Sequence, residues 1–207
     1  MREELTDKVK GTFFNRKVHS LFGVLPVGIF LAFHLTANFQ ATKGPEAYNA
    51  MTKAIGQLPF LLAIEIVFIF LPLLFHAIYG LYVMYQASVN LNRFNTFRNW
   101  MYVLQRVTGL LTLIFVAWHV WEARIARPAD PDFFQLMTQI LSNPFMYWFY
   151  AIGIVAAVFH FSNGMWSFLV SWGITVGPRA QQVSTYVWMV VFVLLSIVGI
   201  GALNAFV

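Results

Sequence analysis

The chain has 207 residues, of which 59% are hydrophobic, 18% aromatic and only 10% charged. About a quarter of the residues of a soluble domain are charged, so this composition excludes a soluble class and predicts an integral membrane protein. The absence of cysteine excludes disulfides, thiolate catalysis, iron–sulfur ligation by this chain and covalent attachment of a c-type haem.

Five apolar runs are each long enough to cross a bilayer, which takes about 20 residues of helix. The segments between them are short and contain glycine, proline and asparagine, which are typical of turns. We therefore expect an all-α integral membrane protein, one membrane domain over residues 1–207, with five transmembrane helices in a bundle. The predicted spans are residues 18–39, 59–86, 101–123, 145–175 and 183–207.

Basic side chains are unevenly distributed between the two ends of these spans. Cytoplasmic connections of membrane proteins carry an excess of lysine and arginine. A cytoplasmic N-terminus puts nine basic residues on that side and four on the other, so we expect this orientation, with the C-terminus outside. The nine are Arg2, Lys8, Lys10, Arg16, Lys17, Arg93, Arg98, Arg106 and Arg179, and the four are Lys43, Lys53, Arg124 and Arg127. The net charge of +5 is thus mainly a topology signal and indicates no nucleic-acid binding.

Each of the first four spans contains one histidine at membrane depth, where an imidazole without a partner is costly and usually marks a functional site. His34 and His119 each lie about 15 residues, roughly 22 Å, from the cytoplasmic start of an outward-running helix. His76 and His160 lie roughly 22 to 25 Å from the outer side, on helices that run back. The sequence predicts one pair near the outer face and a second near the inner face.

Two bis-histidine sites stacked across a bilayer are typical of a b-type cytochrome with two haems, because a porphyrin iron takes two axial ligands from facing helices. Gly80, Ala123 and Gly164 each stand one turn after a histidine, where a small residue would let a flat macrocycle approach. A bare zinc site would need three or four ligands at one depth. A histidine-lined metal transporter, the alternative from another class, would need one central site and internal repeats.

His19, the fifth histidine, lies at the edge of the first span. Its depth matches neither predicted pair. We interpret it as an interfacial residue near a haem propionate.

Several segments carry a resemblance to a known family. They are His19–Val24, Phe97–Trp100, Leu104–Gly109, Trp118–Glu122 and Phe159–Gly164. These segments resemble the cytochrome b558 membrane anchors of succinate dehydrogenases from Gram-positive bacteria, and the resemblance extends over essentially the whole chain. It implies a single-polypeptide, five-helix anchor of succinate:menaquinone oxidoreductase in the bacterial cytoplasmic membrane.

The resemblance also implies a ligand set and a direction of electron flow. His34 and His119 would ligate the distal, lower-potential haem, and His76 and His160 the proximal, higher-potential one. Succinate would be oxidised at FAD in a separate flavoprotein subunit, and electrons would pass through a second, iron–sulfur subunit, both docked on the cytoplasmic face. They would then cross the two haems and reduce menaquinone near the outer face. The alternatives are a menaquinol:fumarate reductase anchor and another respiratory dihaem cytochrome b.

Four further polar residues are candidates for haem or quinone contact. Glu65, in the outer part of span two, is the quinone and proton candidate, although a hydrogen bond within the bundle explains it equally well. Arg106 and Gln105, near the inner end of span three, and Ser20 are candidates for propionate contact. Glu122 and Arg124 are interpreted mainly as interface residues, which could pair with each other or with a propionate.

Overall fold

The computed structural model describes the backbone of residues 2–207 and the side chains of residues 12–207. Over this range the chain consists of helices and turns, without a strand. Five helical segments are long and apolar enough to cross a membrane, which confirms the predicted all-α fold with five spans. Spans one to five are Thr12–Lys43, Leu61–Tyr85, Phe97–Ile125, Pro144–Ser171 and Pro178–Asn204.

Span one is divided into two helices by a proline. α1 (Arg2–Val24) ends just before α2 (Pro26–Asn38), and a 3₁₀ turn over Phe39–Lys43 follows. Proline has no N–H to donate to the preceding turn, and its ring clashes with the carbonyl four residues earlier, so the helix is interrupted there.

Spans two and three each contain a π-helical stretch. In span two, α4 (Leu61–Ile64) and α5 (Leu71–Tyr85) flank the π-helical residues Glu65–Phe70. Pro72 follows directly, and its missing N–H explains why the hydrogen-bond register slips just upstream. In span three, α6 (Phe97–Val120) continues into the π-helical residues Trp121–Ile125.

The fourth span occupies the centre of the bundle. It is α8 (Pro144–Ser171), which packs against both α6 and span five, α9 (Pro178–Asn204). Small residues let helices approach closely in a membrane. A Cβ atom at Gly153 would lie 2.2 Å from the ring of Phe115 on α6, so only glycine permits this approach.

Two shorter helices cover one end of the bundle. α3 (Pro45–Gly56) lies between spans one and two, and α7 (Phe133–Leu141) between spans three and four. Asn49 of α3 donates a hydrogen bond to Asp132 at 2.9 Å, and the ring of Tyr48 packs on Phe206 at a centroid distance of 5.1 Å. We call these two helices the α3/α7 cap. The sequence predicts only short connections with turns in these two segments, so both helices are a difference between prediction and structure.

Candidate functional site

The four span histidines form two pairs. The rings of His34 and His119, from spans one and three, have centroids 5.8 Å apart and planes at 66°. The rings of His76 and His160, from spans two and four, have centroids 6.1 Å apart and planes at 85°. We call these the His34/His119 layer and the His76/His160 layer. The histidines that share a depth in the sequence analysis are thus the ones that meet.

The two layers are separate sites. Gly109 lies against His160, and His119 follows it ten residues later on span three, a rise of about 15 Å. Tyr150 lies against His119, and His160 follows it by the same interval on α8. Among the described side chains, no group of three or more histidines or carboxylates is arranged to hold a metal ion. A bare zinc site of the usual kind would require such a group.

In the His76/His160 layer, backbone carbonyls hold the imidazoles. Nδ1 of His76 lies 2.9 Å from the carbonyl oxygen of His19, and Nδ1 of His160 lies 3.1 Å from that of Gln105. A carbonyl oxygen can only accept, so each Nδ1 that bonds to one is the donor and each Nε2 keeps a lone pair. The Gln105 amide nitrogen also lies 3.2 Å from Nδ1 of His160, but it donates to the His160 carbonyl at 2.9 Å. Metal-ligating histidines typically show this arrangement.

Two glycines give these rings their space. A Cβ atom at Gly23 of α1 would lie 2.4 Å from Cε1 of His76, and one at Gly109 of α6 would lie 2.9 Å from Cε1 of His160. Any larger residue would force the ring to move. Gly80 and Gly164, which the sequence analysis singled out, instead face Nε2 of His19 and Nε2 of Gln105.

His19 belongs to the His76/His160 layer, which corrects the interpretation that its depth matches neither pair. Its ring stacks on His76 with centroids 4.2 Å apart and planes at 5°. The reason is that α1 starts well before the predicted span, so the depth of His19 cannot be counted from residue 18. Fifteen residues of helix separate it from His34, which corresponds to roughly 22 Å and to the other layer.

In the His34/His119 layer, side chains hold the imidazoles. Nδ1 of His119 lies 3.4 Å from the hydroxyl of Tyr150, and that hydroxyl donates to Oε2 of Glu122 at 2.9 Å. Because the single hydroxyl proton is given to Glu122, the tyrosine oxygen accepts from His119. Nε2 of His119 therefore keeps its lone pair, as in the other layer.

His34 is held differently from the other three. The Asn38 amide donates to the carbonyl of His34 at 2.8 Å and lies 3.3 Å from its Nε2. Tyr48 of α3 donates to the Asn38 oxygen at 2.9 Å. Burial raises the pKa of Tyr48 to about 12, so its hydroxyl stays neutral and remains a donor. A metal bound at Nε2 of His34 would replace the Asn38 contact.

Aromatic rings pack around this second layer. Phe115 stacks on His119 with centroids 5.7 Å apart, and Phe30 lies 5.3 Å from His34. Phe115 is buried, so it belongs to the interior rather than to the lipid-facing surface. The α3/α7 cap covers this end of the bundle.

Both pairs have geometry that fits a bis-imidazole iron. Metal–imidazole bonds of about 2.0 Å on opposite sides of one atom put the two ring centroids about 6 Å apart. Both pairs meet this separation, and three of the four rings have Nε2 free of a donor. Arg106 adds a group suited to an anionic substituent, since no described residue accepts a hydrogen bond from its buried Nε. The residues present therefore fit haem.

The other candidates for propionate contact occupy two positions. Gln105 contacts His160 directly, because its amide donates to the His160 carbonyl at 2.9 Å. Ser20 accepts from Trp172 at 3.0 Å and donates to the carbonyl of Lys17 at 2.9 Å, at the end of the bundle that holds the His76/His160 layer.

Glu65 forms an ion pair with Arg124 at 2.5 Å, and their side chains are 19% and 36% exposed. The suggested pairing of Glu122 with Arg124 is therefore wrong: Arg124 binds Glu65, whereas Glu122 accepts from Tyr150. The two acidic residues lie on different helices, and the ion pair joins the π-helical stretches of spans two and three.

Sequence reasoning missed Gly23, Gly109 and Tyr150. Both glycines occur inside apolar spans, where glycine often marks a close helix approach, and that signal could have identified them. Tyr150 gives no comparable signal, because it meets Glu122 only through the packing of two helices.

The chain was compared with known proteins. A family model for the succinate dehydrogenase/fumarate reductase transmembrane subunit matches residues 86–199. The succinate dehydrogenase cytochrome b558 subunit of Bacillus subtilis (strain 168) is 53% identical over 196 residues, which are 94% of this chain and 97% of that protein. With its paired histidines and five membrane helices, the chain therefore belongs to the succinate dehydrogenase/fumarate reductase transmembrane subunit family.

Proposed function

We propose that this chain binds two haems b and relays electrons from succinate oxidation to menaquinone. The observation that carries the proposal is the pairing of four histidines in two layers, with ring centroids 5.8 and 6.1 Å apart. A haem b bound at each pair would supply a one-electron carrier at that depth.

The proposed role of the chain's residues is to hold and orient the two haems. His76 and His160 would ligate one haem, with their Nδ1 protons fixed on the carbonyls of His19 and Gln105. His34 and His119 would ligate the other. Arg106, Gln105 and Ser20 remain the candidates for propionate contact. Arg106 has the strongest support, because its buried Nε has no hydrogen-bond partner among the described residues.

The direction of the relay follows from the proposed topology. With the N-terminus in the bacterial cytoplasm and the C-terminus outside, the His76/His160 layer faces the side where a flavoprotein with FAD and an iron–sulfur subunit would dock. The His34/His119 layer then lies near the outer face, where menaquinone would be reduced. Support comes from the excess of basic residues at the cytoplasmic end and from the similarity to the succinate dehydrogenase cytochrome b558 subunit of Bacillus subtilis.

Reduction of menaquinone also requires protons at the outer end. Glu65 is our candidate for delivering them, because it is a carboxylate in span two at the end that also holds the His34/His119 layer. Arg124 would hold its carboxylate in place between turnovers.

Haem content tests the proposal most directly. We expect the complex purified with this chain to give a pyridine-haemochrome value of two b haems per chain. We expect His34→Ala and His76→Ala each to lose a different haem in reduced-minus-oxidised spectra. His19→Ala is the comparison within the same layer: His19 stacks on His76 but is not assigned as a ligand, so we expect both haems to remain. A chain without haem would contradict the proposal, and retention of both haems in His34→Ala or in His76→Ala would contradict the ligand set.

The family name includes fumarate reductases, which favours operation in the reverse direction as a second candidate. Succinate-dependent menaquinone reduction and menaquinol-dependent fumarate reduction should both be measured on the same membranes. The faster direction under matched quinone pools decides between them.

A further inference from the structure

Tyr150 and Glu122 connect His119 to a carboxylate. His119 donates from Nδ1 to the Tyr150 oxygen at 3.4 Å, and Tyr150 donates onward to Glu122 at 2.9 Å. Tyr150 is only 2% exposed, and its ring meets His119 edge-on at a centroid distance of 5.6 Å. Because Tyr150 gives its single hydroxyl proton to Glu122, its oxygen is left to accept from His119, and this sets the direction of the chain.

Among the described side chains, no carboxylate is linked in this way to a histidine of the other layer, where the side-chain group at Nδ1 of His160 is the neutral Gln105 amide at 3.2 Å. His76 and His160 donate to backbone carbonyls, which are neutral and fixed by helix geometry. A ligand histidine whose second nitrogen donates toward a carboxylate is a more basic ligand than one that donates to a carbonyl. A more basic axial ligand stabilises the ferric state of a haem and so lowers its reduction potential.

We propose that Tyr150 and Glu122 are positioning residues that set the reduction potential of the haem held by His34 and His119. This inference rests on the proposed function, since it assumes haem at that pair. Tyr150 orients the His119 ring and fixes its tautomer. Glu122 supplies the negative charge that the tyrosine hydroxyl transmits to the imidazole.

The test is a redox titration of the purified complex, with the two haems resolved by optical and electron paramagnetic resonance spectra. We expect Tyr150→Phe to shift the ferric/ferrous equilibrium of the His34/His119 haem toward the ferrous form by about three- to tenfold, the range that one hydrogen bond accounts for. A tenfold shift corresponds to 59 mV for a one-electron couple. The other haem should keep its potential.

Two further variants separate this effect from a packing defect. Glu122→Gln keeps a hydrogen-bond acceptor for Tyr150 but removes the charge, so we expect a shift of the same sign and smaller size. Tyr147→Phe is the matched control, because Tyr147 is on the same helix, one turn away, and donates to Asn204 at 2.8 Å instead of to a histidine. It should leave both potentials unchanged.

The outcomes separate the two proposals. Two haems with unchanged potentials in both Tyr150→Phe and Glu122→Gln would overturn this inference and leave the proposed function standing. Equal shifts of both haems, or the same shift in Tyr147→Phe, would overturn it as well. Absence of haem from the unmodified complex would overturn the proposed function and this inference together.

Discussion

The two histidine layers are built in different ways. The His76/His160 layer relies on the main chain, with two carbonyls as acceptors and two glycines as the walls beside the rings. The His34/His119 layer relies on side chains: a tyrosine accepts from His119, an asparagine amide lies against His34, and a phenylalanine stacks on His119. The acceptors of a main-chain site can be changed only by moving helices, whereas those of a side-chain site can be changed by single substitutions. We therefore expect the His76/His160 layer to be sensitive to added side-chain volume, and the His34/His119 layer to be sensitive to the chemical nature of the neighbouring side chains.

The largest effect should come from adding volume to the His76/His160 layer. Gly109→Val places a side chain where a Cβ alone would lie 2.9 Å from the His160 ring, so we expect the haem of that layer to be lost. The pyridine-haemochrome value should fall from two haems per chain to one. Gly56→Val is the control, because a Cβ there meets no atom within 4 Å. Retention of both haems in Gly109→Val would show that this layer tolerates volume.

Removing the charge of Glu65 should slow quinone reduction without changing haem content. Glu65→Gln and Arg124→Gln break the same ion pair, but only the first removes the carboxylate. Positioned acids and bases typically contribute about 10²- to 10⁴-fold in rate, so we expect a loss approaching that range for Glu65→Gln and a much smaller one for Arg124→Gln. The measurement is succinate-dependent menaquinone reduction. Equal losses in both variants would assign the pair a structural role only.

Replacing the ring that stacks on His119 by a smaller side chain should affect the His34/His119 layer alone. Phe115→Leu removes a buried ring next to His119 and leaves a small cavity, which we expect to cost about 1–3 kcal/mol in the free energy of unfolding. The spectrum of the His34/His119 haem should change while that of the other haem does not. Phe145→Leu, whose side chain is 71% exposed, is the control for loss of a lipid-facing ring. Identical effects of the two substitutions would show that Phe115 has no particular role in the His34/His119 layer.

The smallest effect should follow from loosening the α3/α7 cap. Asn49→Ala removes the bond to Asp132 and the acceptor for the backbone N–H of Phe134, which we expect to cost about 1 kcal/mol in stability. Proteolysis should speed up at residues 44–60 and 126–143. Haem content should stay at two per chain. Unchanged cleavage would show that other contacts hold the cap.

The histidine pairing could be predicted from the sequence because helix rise converts spacing into depth, and four residues at two depths leave few combinations. The position of His19 could not, since α1 extends beyond the hydrophobic run that defined the span. The α3/α7 cap was missed because short amphipathic helices resemble connections when the search is for apolar runs. The hydrogen bond between Tyr150 and Glu122 joins residues 28 positions apart on two helices, and no local pattern encodes it.

The break at Pro26 gives span one two independent halves. α1 presents His19 and Gly23 to one layer, and α2 presents His34 and Asn38 to the other. In an unbroken helix, each inserted or deleted residue would rotate one set of contacts by about 100° relative to the other. The interruption at Pro26 separates the two sets of contacts, so α1 and α2 need not keep one common helical register. Span one therefore consists of two short helices in series, and the two layers can diverge separately in evolution although a single span crosses both.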